Sequence, residues 1–337
     1  CIRDSCESVH TVPMVRSRLK NGLALLESVL TGRPAIIARD RLSTMEACLS
    51  RLMKQARFDA VHADQTSMAQ YAIYARSQAA EPDRPGTILD QHNALYLLVE
   101  RQSSYEPRLA RAIWRREARA LADYERGLCR EFEQVLTVTE EDKAALLTLF
   151  TEEEARHLGG KISPIPICVD ASGTEMLARG QRGRQIIHLG TMFWPPNIEG
   201  VMWFAEEVLP LVWDRAPETQ FVVAGKNPPN EVLALSERHS GRGGQINVTG
   251  FVEDPRPLLE QSQVFIVPVR AGGGMRVKIV DGWLWGLPIV STSIGAEGLA
   301  VRPGENILLA DEPEAFAAAV IRLLEEPALA EEMGRAG

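Results

Sequence analysis

Residues 268–281 read Pro268-Val269-Arg270-Ala271-Gly272-Gly273-Gly274-Met275-Arg276-Val277-Lys278-Ile279-Val280-Asp281. An apolar run, Val264–Val267, ends at the proline, three glycines follow, and a helix is expected to begin near Met275. A strand, a glycine turn and a helix in this order form the repeating unit of a parallel α/β sheet. Working outward, the same alternation fills the second half of the chain. Strands are expected at Gln185–Gly190, Gln220–Gly225, Gln245–Gly250, Val264–Val267, Pro288–Ser291 and Ile307–Leu309. Helices are expected between them at Ile198–Arg215, Asn230–His239, Arg256–Glu260, Val277–Trp285 and Pro313–Glu325. The strands are nearly continuous Val, Ile and Phe runs, as burial on both faces requires.

The first half is richer in helix. Leu19–Leu30 has helical apolar spacing and stops at Gly32-Arg33-Pro34. Ser43–Ala56 reads as a helix with Ser43 as N-cap and Glu46 completing a capping box. Thr66–Ala79 and Pro107–Glu131 are further helices, and Glu140-Glu141-Asp142 opens another at its positive dipole end. Short strands fall at Phe58–Ala63, Thr87–Asp90, Gln134–Thr139 and Lys161–Ile167. Ala171–Gly183 is polar and glycine-bearing and reads as a linker. The organisation is therefore two Rossmann-like domains, residues 1–170 and 184–337, joined by residues 171–183. In such sheets ligands sit beyond the carboxyl ends of the strands, and a central cleft faced by both domains is the expected site.

Composition narrows the partners. The chain has 337 residues, which fits two domains of about 100–200 residues each. Its 37 basic and 45 acidic side chains leave a formal charge of −8, which argues against nucleic acid as a partner. Five scattered cysteines show neither metal-ligand nor disulfide-framework spacing and read as reduced cytosolic thiols. No apolar run approaches the ~18 residues of a membrane span.

The glycine turn carries the chemistry. Glycines admit close backbone approach, and a helix N-terminus offers free N–H groups and positive potential, which together suit a diphosphate. Arg276 and Lys278 add full charges, or else form a solvated helix face. Asp281, on the same helix, has the two acceptor oxygens that a ribose diol needs. A tight turn with close helix–sheet packing would use the same glycines.

From Gln185 to Gly334 the sequence resembles the retaining glycosyltransferases of GT-B fold, family 4, the group 1 type. The blocks that carry the resemblance are His188-Leu189-Gly190, Pro195-Pro196-Asn197, Phe221–Gly225, Val248–Asp254, the GGGMRVK form of the donor-site motif with the residues after it, and the tail from Glu305. It continues more loosely through FDAVHADQ, ILDQHN, VLTVTEED and ISPIPICVD in the first half. The resemblance implies a donor site made by Gly272, Gly273, Gly274, Met275 and Asp281, with Phe251, Val252 and Glu297 beside it. Arg276 and Lys278 would stabilise the leaving diphosphate, and His92 would reach the transferred sugar. Asn93 and Thr139 would lie on the acceptor side, although helix capping also explains Thr139.

Two departures from the family pattern stand out. Gly273 and Asp281 occupy the positions of the family's two glutamates. The loop Thr191–Asn197 lacks the family's Arg and Lys, so Arg276 and Lys278 are expected to replace them. Set against that resemblance, the first domain is expected to be without the family's opening strand–loop–helix unit, and the second without the last helix that crosses back, whether by truncation or by a real departure.

The implied function is metal-independent hexosyl transfer from a nucleotide diphosphate sugar, with retained configuration and no cofactor. The acceptor would be a carbohydrate, a lipid-linked sugar or a small molecule, in surface polysaccharide or glycolipid synthesis. The protein would be cytoplasmic, and a lipid-linked acceptor would bring it to the inner membrane face as a peripheral protein. The alternatives are a non-catalytic nucleotide-sugar-binding module, a partner subunit of another transferase, or a nucleotide-sugar epimerase of related fold.

Overall fold

The computed structural model describes residues 6–14, 17–103, 107–171, 176–177, 184–238, 245–272 and 275–337. The chain divides into two compact units, Cys1–Pro166 and Ile167–Gly337. Part of the expected linker packs on the second unit: Leu177 is buried there and its N–H bonds the carbonyl of Trp285 at 3.3 Å.

The first unit begins with helices α1 (Arg18–Thr31), α2 (Ala35–Arg39) and α3 (Ser43–Gln55). Ser17 caps α1 through its side chain, and Gly32 ends it at φ 76°, a left-handed conformation suited to glycine. Ser43 is not the cap of α3. Leu42 holds that place, its N–H fixed by the Tyr71 hydroxyl at 2.7 Å, so Ser43 is drawn into the first turn. Glu46 accepts from Arg41 at 3.0 Å instead of closing a capping box.

Four parallel strands follow in spatial order: β1 (Ala60–Asp64), β2 (Gly86–Gln91), β3 (Gln134–Thr137) and β4 (Ile162–Pro164). Between them lie α4 (Ala69–Ser77), α5 (Leu95–Ser103), α6 (Arg108–Glu131), α7 (Glu140–Leu147) and α8 (Glu152–Leu158). Parallel sequential neighbours need a crossover each, and the right-handed rule for such crossovers puts the connecting helices on one face of the sheet. The register follows suit. Ala63, Leu89, Val135 and Ile162 align across the strands and are all buried. The next row, Asp64, Asp90, Leu136 and Ser163, is exposed or half-buried. Arg116 bonds Ser28 at 2.9 Å and ties α6 to α1.

The second unit has six parallel strands: β5 (Gln185–Leu189), β6 (Gln220–Ala224), β7 (Gln245–Gly250), β8 (Val264–Val267), β9 (Ile289–Ser291) and β10 (Leu308–Leu309). Their spatial order is β10-β9-β8-β5-β6-β7. The chain starts in the middle, builds outward one way, then returns to build the other way. This is the doubly wound arrangement, with its switch point between β5 and β8. Its helices are α9 (Pro195–Trp203), α10 (Leu209–Arg215), α11 (Asn230–Leu233), α12 (Leu235–Arg238), α13 (Arg256–Gln261), α14 (Val277–Leu284), α15 (Pro313–Glu325) and α16 (Pro327–Ala336).

The expected single helix over 198–215 starts earlier, at Pro195, and passes through a π-helical turn at Phe204–Val208. Pro210 accounts for that turn, because it lacks an N–H and its ring crowds the carbonyl four residues back. Both sheet faces are filled: Phe204, Phe221 and Phe316 cluster on one, and Phe265, Ile279 and Ile289 on the other. Among the described residues, no helix is long and apolar enough to cross a membrane.

Candidate functional site

The switch point puts two turns side by side. After β5 the chain makes the turn 190–194 and enters α9; after β8 it makes the glycine turn and enters α14. The helix after the glycines starts at Val277 rather than near Met275, because Arg276, at φ −91° and ψ 88°, is its extended N-cap. That conformation carries the Arg276 guanidinium to the ring of Trp194, 5.2 Å from the centroid. Gly272 makes this approach possible. It sits at φ 120°, and a Cβ there would come within 2.9 Å of Arg276 Nη2 and 3.4 Å of Trp194. Gly273 and Gly274 lie outside the described residues.

Lys278 points the other way, toward β5. Its Nζ donates to Asn197 Oδ1 at 2.9 Å, and Asn197 in turn donates from Nδ2 to the carbonyl of Thr191 at 2.9 Å. A Cβ on Gly190 would lie 2.5 Å from Lys278 Nζ, 2.8 Å from Asn197 Nδ2 and 3.1 Å from His188 Nε2. Gly190 is therefore the floor of a small cradle for the lysine amine. The base-free loop Thr191–Asn197 thus holds both cations of the other turn, one by stacking and one by hydrogen bonding.

The electrostatics are unusual for a lysine. Burial, with the neighbouring Arg276 charge, pulls the Lys278 ammonium down to about 7. Among the described residues it has no ion-pair partner. His188 is fully buried; its Nδ1 lies 3.1 Å from the carbonyl of Ile266 and Nε2 meets no hydrogen-bond partner. Burial and then the Lys278 charge push the imidazole well below its ordinary range, so it is neutral, with Nδ1 donating.

The other expected donor-side residues are arranged around these turns. Asp281 is half-buried on α14, and burial raises its carboxyl above the usual range. Its carboxylate makes no hydrogen bond or ion pair among the described residues, leaving both oxygens available. Met275 and Val252 are half-buried, Phe251 is 70% exposed after β7, and Glu297 is half-buried after β9. Sequence reasoning missed His188, Asn197 and Trp194 as site residues. The signal for all three was position, since each stands at or just after the carboxyl end of the first strand of a doubly wound sheet.

In the first unit, His92 and Asn93 follow β2. His92 Nε2 lies 2.7 Å from Asp64 Oδ1 at the end of β1, and His62 lies 3.7 Å from Asp90. Asp64, Asp90 and His92 bring ligand atoms within 4.8 Å of one another, a donor set that sequence reasoning did not name. Thr139 is buried and spent on the cap of α7: its Oγ1 accepts from the Asp142 N–H at 3.0 Å and donates to Asp142 Oδ2 at 2.7 Å.

The segment carrying His92 is pinned by two carboxylates. Asp142 accepts from the Ala94 N–H at 2.9 Å, and Glu125 accepts from the N–H groups of Leu95 and Tyr96, both at 2.8 Å. Gln91 also donates to Glu125. Burial pushes the Glu125 carboxyl up to about 7 against these donors. A carboxyl raised in the fold keeps a proton that the unfolded chain has lost. Stability therefore falls as pH climbs from about 4.5 to about 7 and is level outside that window. Glu125→Gln is expected to remove roughly 2–3 kcal/mol of that fall, read as urea unfolding at pH 5 and 7.5. An unchanged slope would place the proton elsewhere.

Residues 183–326 match the family model described as Glycosyl transferases group 1. The match covers less than half of the chain. It is 28% identical over 139 residues, 40% of its length, to an uncharacterized 44.6 kDa protein in the cps region of Klebsiella pneumoniae. It is also 28% identical over 125 residues, 36% of its length, to the lipopolysaccharide core biosynthesis glycosyltransferase LpsE of Rhizobium meliloti. In both cases the match spans only 36% of the relative's own length.

Among solved structures, sucrose-phosphate synthase from Thermosynechococcus elongatus superposes with a TM-score of 0.63 at 16% identity, covering 87% of this chain and 73% of that one. Anabaena HepE, in complex with UDP, gives 0.60 at 13% identity, covering 86% and 74%. At such identities the likeness establishes the fold, which is GT-B.

Proposed function

We propose that this protein is a retaining glycosyltransferase that moves a hexosyl group from a nucleotide diphosphate sugar to an acceptor hydroxyl. The observation that carries the reading is the half-buried Lys278 ammonium, held beside stacked Arg276 at the start of α14 with no carboxylate partner among the described residues. A diphosphate supplies that missing negative charge. Several findings support the donor class and the setting. The group 1 domain match covers this site, HepE was solved with UDP, and LpsE builds lipopolysaccharide core. By that analogy the acceptor is a growing surface polysaccharide or glycolipid on the cytoplasmic side.

As the sugar–oxygen bond breaks, positive charge grows on the sugar and negative charge on the leaving diphosphate. Lys278, Arg276 and the free N–H groups at the start of α14 face that developing charge and stabilise it without reorganising. Protein cations, rather than a metal, meet the diphosphate in this reading. Asp281 offers two acceptors to a ribose diol, and Gly250 with Phe251 and Val252 offers backbone to the base. His92, oriented by Asp64, serves the sugar. The exposed leucines of α1, with Leu19 at 75% and Leu30 at 76%, support peripheral contact with a membrane carrying the acceptor.

Calorimetry with UDP-, GDP- and ADP-glucose, followed by donor turnover without added metal, tests the proposal. One nucleotide series is expected to bind, with slow hydrolysis or transfer. Binding without turnover would favour a non-catalytic binding module or partner subunit; no binding would sink the donor site.

A further inference from the structure

The cradle around Lys278 has a consequence for how a ligand enters it. The groups facing the amine come from three elements. His188 on β5 is neutral, with Nδ1 committed to the Ile266 carbonyl. Asn197 on α9 is neutral and supplies the single hydrogen bond. Arg276, at the cap of α14, is a like charge. Among the described residues, no carboxylate pairs with the Lys278 amine. The cradle is tight on the Gly190 side, where a Cβ would meet the amine, the amide and the imidazole at once. A buried ammonium surrounded by two neutral groups and a guanidinium is held in its charged form only weakly.

We infer that nucleotide-sugar binding at this turn takes up a proton, which is carried by Lys278 while His188 remains neutral. The inference rests on the donor-site reading above and adds to it. A diphosphate diester brings negative charge to the one side of the cradle that lacks it. The ammonium form then becomes the favoured one, and the proton comes from solvent. The bond to Asn197 Oδ1 can be kept in either protonation state, because a neutral amine also donates.

Because the free amine titrates near 7, affinity is highest below that value. It should weaken about fiftyfold between pH 7 and 9, as the charged fraction falls from roughly a half to a hundredth. The same arithmetic gives an uptake of about 0.9 proton at pH 8 and about 0.1 at pH 6.

The test is calorimetry of the full chain with UDP-, GDP- and ADP-glucose at pH 6 and pH 8, in two buffers of different ionisation enthalpy. These ligands suit the purpose because their phosphates are diesters and lack the group that titrates near pH 6 in a terminal phosphate. For whichever sugar nucleotide binds, the wild type is expected to show near-unit uptake at pH 8 and little at pH 6. Binding with no uptake at pH 8 overturns the inference and leaves the donor site standing. No binding at any pH overturns both. Two variants locate the proton. Lys278→Met is expected to lose the uptake and His188→Gln to keep it; the opposite pattern would assign the proton to the imidazole and refute the role given to Lys278.

Discussion

Lys278→Met is expected to weaken nucleotide-sugar binding while making the free protein more stable. The two effects have one cause. In the complex the ammonium makes charge-assisted hydrogen bonds to the diphosphate, and losing these costs about 1.5–3 kcal/mol, or roughly ten- to a hundredfold in affinity. In the free protein the same ammonium has no ion-pair partner among the described residues, and burial with the Arg276 charge has lowered its ordinary value of 10.5 to about 7.

A lysine lowered in the fold makes stability rise with pH from about 7 to about 10.5, because the unfolded chain holds the extra proton there. Near pH 7 its burial is therefore a standing cost. Methionine keeps the stem, removes the charge and fills the cradle, for a gain of about 1–3 kcal/mol. For a unit of this size that is a rise in Tm of roughly 3–10 °C. A lysine kept for structure would show the reverse, since losing its bond to Asn197 would lower Tm. A drop in Tm with unchanged affinity would remove Lys278 from the site. Arg276→Ala should weaken binding to a similar degree at pH 6 and by less at pH 8, because removing the guanidinium lets Lys278 hold its proton.

The balance of stability against binding explains what could be read from the sequence and what could not. The second unit was legible because its strands are short apolar runs, closed by Gly190, Gly225 and Gly250 and separated by helices of regular length. Such a pattern has few alternative sheets. The glycine turn was legible as an anion site for the same reason. Its helix start was misplaced because the extended conformation of Arg276 is imposed by stacking on Trp194, some eighty residues earlier in the chain. His188 was invisible as a site residue because a strand buried on both faces has no alternation to set an imidazole apart from the aliphatic residues beside it. Ser43 was read as a cap from local spacing, yet a tertiary bond from Tyr71 to Leu42 shifted the boundary by one residue. Glu125 lies in the middle of a helix dense in charges, and nothing local separates it from its exposed neighbours. Its role comes from α5, which begins thirty residues before it. Local chemistry was therefore readable, whereas contacts between distant segments were not.

Gly225→Ala should be the most damaging single-methyl change in the second unit. Gly225 directly follows β6, and its N–H bonds the Gly250 carbonyl at 2.8 Å, while the Gly190 N–H bonds the Ala224 carbonyl at 3.0 Å. Three strand ends are thereby laced together at the floor of the site. A Cβ on Gly225 would overlap the Gly190 carbonyl oxygen and lie 2.8 Å from its carbonyl carbon. Both are backbone atoms in the centre of a parallel sheet, so no side-chain rotation relieves the clash. Either β6 or the 190 turn must move. Overpacking of this kind costs about 1–3 kcal/mol and more where backbone must shift, so a loss of about 3 kcal/mol and roughly 6–12 °C in Tm is expected. The functional effect should go beyond the stability loss. Gly190 is the floor on which the Lys278 amine rests, so displacing its carbonyl also displaces Asn197 and the ammonium. At a temperature where the variant is still folded, nucleotide-sugar affinity should fall at least tenfold, whereas Gly127→Ala, on the open surface of α6 with nothing within 4 Å, should leave affinity unchanged and raise stability by about 0.5–1 kcal/mol, as alanine does in place of glycine inside a helix. A Gly225→Ala protein with wild-type Tm would mean that the strand end yields freely, and the tight β5–β6 contact would then have no part in holding the lysine cradle.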